Sequence, residues 1–248
     1  MAQASLKSAL RMAIQAGEAR DYGRSIELLT RVLAESDEYP EALVYLGRAH
    51  HALGEHERAV QALRAYVERG GDPETGLFFL GRSYLALRRN AEALQCFRGS
   101  VEAQIAAGKP ERAETLAFLG ISLLRERRPA KALEILERAV TIAPDDARVF
   151  SGYRNALFVN AVRKLARGEA DLAAQMLGFV IANGGDGVSP RLYRSRALRS
   201  LGRLDEAIED IGAALESEPN DPALVYQRLV LLLQAGRADA CDSKRNRR

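Results

Sequence analysis

At 248 residues the chain is long for one compact core, and with 6% aromatic residues and no tryptophan it lacks the large rings such a core is built from. Its 36 basic and 33 acidic residues leave a net charge of only +3, a balance that favours neither nucleic acid nor a strongly acidic partner. No run of about 18 apolar residues occurs, which excludes a membrane-spanning helix, and the two cysteines, Cys96 and Cys241, match no metal or redox spacing.

The first residues, MAQASLKSALRMAIQAG, carry no long apolar run and no cleavage pattern, so the expected compartment is the cytoplasm. From about residue 6 the chain begins to copy itself. The clearest copy is 192–221, where Leu192, Ala197, Leu198 and Leu201 share one helical face. Gly202 and Arg203 break that helix, Ala207, Ile208, Ile211, Ala214 and Leu215 form a second face, and Pro219 ends it.

Two registers of small residues run through the copies. The first-helix series is Ala13, Gly47, Gly81, Gly120, Ala161 and Ser195; the second-helix series is Ser25, Ala59, Ala93, Ala132, Ala173 and Ala207. A common step of 34 links the first three members of each, and links Ala173 to Ala207. Small residues are expected where paired helices cross closely, so Gly81→Leu or Ala93→Leu should cost roughly 1–3 kcal/mol by overpacking.

The copies span about 6–39, 40–73, 74–109, 110–145, 146–187 and 188–221, with a seventh first helix over 222–235. All eight prolines fall at expected helix starts, ends or turns. Two steps are longer. Gly81 to Gly120 is 39, with the surplus near residues 102–111, and Gly120 to Ala161 is 41, which lengthens the first helix of the fifth copy by about two turns. The stretch Asn183-Gly184-Gly185-Asp186-Gly187 follows a helix and lacks the Lys-Ser/Thr of a phosphate loop, so it reads as a connector.

No nucleophile with its base, carboxylate cleft or ligand set emerges, so neither catalysis nor a cofactor is expected. His50, His51 and His56 cluster but lack the i, i+4 spacing of a helical metal site. Asp205, Glu206, Glu209 and Asp210 read as a solvated helix face, and Cys96, among Leu94, Phe97 and Val101, as a small buried hydrophobe.

The paired registers resemble the tetratricopeptide repeat, a helix–turn–helix unit of 34 residues. The resemblance covers about residues 6–235. It implies an all-α, right-handed superhelical solenoid of about six and a half units over 1–240, followed by a basic tail, 241–248, read as disordered. In that family the first helices line a concave groove that holds a peptide. Carried over to positions one and four after the small first-helix residue, and two and three before it, the groove gives Tyr45, Arg48, His51, Phe78, Phe79, Arg82 and Leu85. Later copies give Phe118, Ile121, Phe158, Val162, Tyr193, Arg196, Arg199 and Tyr226. Aromatic anchors beside forked cations suit a ligand with acidic and apolar side chains.

The implied function is a non-enzymatic adaptor or scaffold for a partner protein or peptide, with no small-molecule substrate, membrane or nucleic acid expected. A recruiting fragment of a larger enzyme is the alternative, and a nucleic-acid-binding helical repeat a more distant one. Family members that clamp a C-terminal carboxylate use Lys and Asn at set first-helix places; Ile14 and Tyr45 stand where Asn would be required, which disfavours that specialisation. The seventh helix carries an apolar run at 229–233, and self-association through Leu229, Val230, Leu232 and Leu233 competes with a shortened chain as its explanation.

Overall fold

The computed structural model describes residues 2–185 and 187–236, and these form thirteen α-helices with no strand. In order they are α1 (Ala2–Glu18), α2 (Tyr22–Glu35), α3 (Glu41–Ala52), α4 (His56–Glu68), α5 (Pro73–Ala86), α6 (Asn90–Ala106) and α7 (Ala113–Arg125). Then come α8 (Pro129–Ile142), α9 (Ala147–Ala166), α10 (Ala170–Ala182), α11 (Val188–Ser200), α12 (Leu204–Ser217) and α13 (Pro222–Gln234). The chain divides into two compact units, Met1–Val149 and Phe150–Arg248, with the boundary inside α9. The expected tail 241–248, Cys241 included, lies outside the described residues.

Each helix pair is locked by one recurring knob. Twelve residues after the small first-helix residue comes the small second-helix residue, and four further on, one turn along the same face, comes Leu29, Leu63, Phe97, Leu136, Leu177 or Ile211. All six knobs are 0% exposed. Both small-residue series are buried throughout, because the knob rests directly on the first helix. A methyl added at Gly47 would come within 2.5 Å of Leu63 Cγ, and one at Gly81 within 2.9 Å of the Phe97 ring. Where serine replaces the small residue it is satisfied across the pair: Ser25 Oγ donates to the Ala13 carbonyl at 2.8 Å, and Ser195 Oγ to the Ala207 carbonyl at 2.9 Å.

The turn after each first helix is equally regular. Seven residues beyond the small residue the backbone turns left-handed, at Arg20 (φ 63°), Gly54 (φ 79°), Arg88 (φ 59°), Arg127 (φ 56°), Gly168 (φ 80°) and Gly202 (φ 74°). This reverses the chain after the last helical turn. Prolines enter at the first helical position of α5, α8 and α13, where no N–H partner is lost.

The two long steps have distinct structural origins. α6 runs 17 residues against 13 in α4 and 14 in α8. Its extra turn carries Gln104, which is fully buried and bonds Thr115 Oγ1 (3.2 Å), Glu74 Oε1 (3.4 Å) and the Arg112 N–H (3.2 Å). Glu74 is closed off by Lys109 at 2.7 Å. α9 has 20 residues, as the longer step requires.

Two expectations from sequence need correction. Asp210 is not part of a solvated face: it is 1% exposed and takes both Arg194 Nε (2.6 Å) and Nη2 (2.5 Å), with Arg191 at 3.7 Å. It lies beside Ile211 and one turn from Ala207, on the buried stripe, whereas Asp205, Glu206 and Glu209 remain exposed. On α13, Leu232 is only 6% exposed and Val230 half-buried, so neither belongs to an open apolar strip; the exposed apolar residues are Val225, Tyr226, Leu229 and Leu233. Leu229 stands at the register of the small first-helix residue, and the residues that would form a covering second helix lie outside those described. Cys96 is buried as expected, and burial pushes its thiol up to about 11. No helix among the described residues is long and apolar enough to cross a membrane.

Candidate functional site

In the first unit α1 touches α3, α3 touches α5 and α5 touches α7, so first helices stand side by side. Between them lies a cleft of about 310 Å³. Its floor is made by the buried registers (Ala13, Ser25, Gly47 and Leu63), and its walls by Ile14, Tyr22, Tyr45, Arg48, His51, Phe79 and Arg82. Five residues expected in a groove, Tyr45, Arg48, His51, Phe79 and Arg82, therefore meet at one place.

Cations and rings interleave there. The Arg48 guanidinium sits 4.9 Å from the Phe79 centroid and 5.5 Å from that of Tyr45. The Arg82 guanidinium is 5.8 Å from Phe79 and 5.5 Å from Phe118. Contact with the rings helps hold both guanidiniums in place. Neither guanidinium forms a hydrogen bond or ion pair with any described residue. Burial weakens the hold of Arg82 on its proton, Arg148 and Arg48 add to that effect, and Glu114 opposes it. The cleft thus holds two cations that lack a direct ion-pair partner among the described residues, with Glu18 on its lining and Glu114 acting on Arg82 as partial counter-charges.

His51 belongs to the same wall. Its Nδ1 lies 3.1 Å from Ser83 Oγ, and its ring lies 5.0 Å from that of His56. Burial, then Arg82 and His56, hold His51 down to about 4, so the ring is neutral at pH 7. His50 pairs instead with Glu55 at 2.6 Å. Among the described residues no group of three His, Cys, Asp or Glu could hold a metal ion.

The remaining expected residues fall differently. Phe78 is 3% exposed and lies under the cleft wall, edge-on to Phe79, Phe97 and Phe118. In the first unit position three before the small residue faces inward, at Val44 and Ala117 as at Phe78, and position two reaches the groove at Tyr45 and Phe79; in the second unit Phe158, at position three, is half-buried. Leu85 is likewise buried. In the second unit Phe158 meets Tyr193 edge to face at 5.7 Å, Arg196 stacks 5.3 Å over Tyr193, Arg199 is exposed, and Tyr226 is 67% exposed.

Sequence reasoning passed over Tyr22, Glu18, Ile14 and Gly17 as cleft residues. The last two were within reach, since they follow Ala13 by one and four residues, the offsets that gave Arg48 and His51. Tyr22 and Glu18 sit at the α1–α2 turn and follow no such offset.

Two tetratricopeptide repeat models match the chain, one over residues 10–73, 158–222 and 194–240, the other over 74–145. Among solved structures, YrrB, described as a TPR protein with an unusual peptide-binding site, is 18% identical with a TM-score of 0.62, covering 81% of this chain and 97% of its own. The MamA protein is 19% identical with a TM-score of 0.58, covering 74% and 94%. A tetratricopeptide repeat protein from Parabacteroides merdae is 16% identical with a TM-score of 0.58, covering 94% and 88%. No curated protein sequence matches significantly.

Proposed function

This chain belongs to the tetratricopeptide repeat family, and on that premise we propose that it is a protein-interaction scaffold whose first-unit cleft receives an extended peptide bearing acidic and apolar side chains. The observation that carries the proposal is the pair of stacked guanidiniums, Arg48 and Arg82, on either side of Phe79, neither with an ion-pair partner among the described residues. A peptide carboxylate would bridge the two forks, and an apolar neighbour would lie on the rings of Tyr45, Phe79 and Phe118. Because the rings already help hold both cations, less side-chain freedom remains to be lost on binding. Phe158, Tyr193, Arg196, Arg199 and Tyr226 offer a similar composition in the second unit. YrrB, a relative in fold, is a peptide binder by its description, which supports the class of ligand and nothing finer. The role is that of an adaptor without catalysis of its own.

The test is capture from a lysate of the source cells by wild type and by the Arg48→Glu/Arg82→Glu variant, with circular dichroism showing that the variant is folded. A partner retained by wild type and lost by the folded variant supports cleft binding. Equal retention by both refutes it.

A further inference from the structure

His51 is a titratable wall residue of the cleft that its surroundings keep neutral while the cleft is empty. The Ser83 hydroxyl lies 3.1 Å from the Phe79 carbonyl. The same hydroxyl lies 3.1 Å from His51 Nδ1, so Nδ1 is engaged by Ser83 in either tautomer of the neutral ring. Nε2 has no hydrogen-bond partner among the described residues. In the empty cleft a second proton on this ring is opposed by burial, by Arg82 from α5 and by His56 from α4. Arg48 and Tyr45 from α3, Glu18 from α1 and Tyr22 from α2 complete the charged and titratable surroundings, and His50 with Glu55 forms a separate pair. An anion placed between Arg48 and Arg82 reverses the balance: it offsets both guanidiniums and offers Nε2 an acceptor.

Resting on the cleft reading above, we propose that His51 recognises the ligand jointly with Arg48 and Arg82: a side-chain carboxylate seated in the cleft draws a proton from solvent onto the imidazole ring, so that binding takes up a proton and tightens as the pH falls. This makes His51 a specificity determinant for acidic residues and couples occupancy to pH. An opposite charge at contact distance raises a histidine by roughly one to three pH units. A shift of about two gives about fourfold tighter binding at pH 5.5 than at 7.5, with roughly 0.7 proton taken up at the lower pH. Glutamate side chains stay ionised across that window.

The test is isothermal titration calorimetry of the capped peptide Ac-FEELEF-NH2 into the full chain at pH 7.5 and 5.5, in pairs of buffers differing in ionisation enthalpy. Wild type should bind more tightly at pH 5.5 with net proton uptake. His51→Gln, checked for folding by circular dichroism, should bind with equal strength at both pH values and take up no proton. Binding by wild type without uptake, or uptake that survives His51→Gln, overturns this inference and leaves the cleft reading standing. No binding by wild type at either pH, or undiminished binding by Arg48→Glu/Arg82→Glu, overturns both.

Discussion

Adding one methyl group at Gly120 should have the opposite effect on stability to adding one at Gly212. At Gly120 the new carbon would lie 2.8 and 2.9 Å from Cδ1 and Cδ2 of Leu136, and closer still to Cγ. Carbon atoms rest about 3.5–4.0 Å apart, so the overlap approaches an ångström. Leu136 is 0% exposed and branched at the point of contact, and cannot swing away. The helices must separate instead, at a cost of about 3 kcal/mol, the upper end for overpacking. Alanine returns about 1 kcal/mol through its better helix propensity, so Gly120→Ala should lose about 2 kcal/mol. Gly212, inside α12, has no atom within 4 Å of an added methyl, and Gly212→Ala should gain up to about 1 kcal/mol from propensity alone. Urea titration followed by circular dichroism reads both as shifts of the midpoint. Truncating the knob supplies the internal control: in Gly120→Ala/Leu136→Ala the loss should be clearly smaller than the sum of the singles. Gly120→Ala at or above wild-type stability, or Gly212→Ala well below it, would refute the account of the helix crossing.

Arg88 holds a left-handed backbone that glycine adopts without strain, so Arg88→Gly should stabilise by about 0.5–1 kcal/mol once the added freedom of glycine is subtracted, seen as a raised thermal midpoint. Asp210→Asn should destabilise by about 2 kcal/mol in urea titration, because two charge-assisted bonds from Arg194 lose their charge in a buried place. His51, held down to about 4, binds its proton more weakly when folded than when unfolded, so the unfolded state protonates first. Stability should therefore be intact above about pH 6.5 and fall by about 1–2 kcal/mol between there and pH 4, after allowing for solvent screening of a half-buried ring. Denaturation midpoints of wild type against His51→Gln across that range check the slope, which the variant should flatten.

Much of the fold was legible because close helix crossing admits few residue types. Glycine, alanine and serine at a repeated offset announce the crossing before any coordinates exist, and the prolines mark the ends independently. The turn residue seven places on was half hidden: glycine at 54, 168 and 202 signals a left-handed backbone, whereas arginine at 20, 88 and 127 signals nothing. Charge misled at Asp210, since its burial depends on Arg191 and Arg194 reaching over from the neighbouring helix, a contact no pattern within α12 reveals. In the first unit the two offsets before the small residue are not equivalent. Positions two and three before the small residue differ by about 100° around a helix, and Phe79 faces the cleft while Phe78 packs beneath it. Arg48 and Arg82 make no ion pair with any described residue, although Glu18 lines the cleft and Glu114 acts on Arg82, and that lack of a direct partner is a fact of three dimensions.

The central claim is that the charge of Arg48 and Arg82 selects the ligand, and charge reversal tests it most directly. Fluorescence polarisation would compare labelled FEELEF and its basic counterpart FKKLKF with wild type and with Arg48→Glu/Arg82→Glu at neutral pH. The account predicts that wild type binds the acidic peptide and not the basic one, and that the folded double variant exchanges that preference. A variant that still prefers the acidic peptide would contradict it.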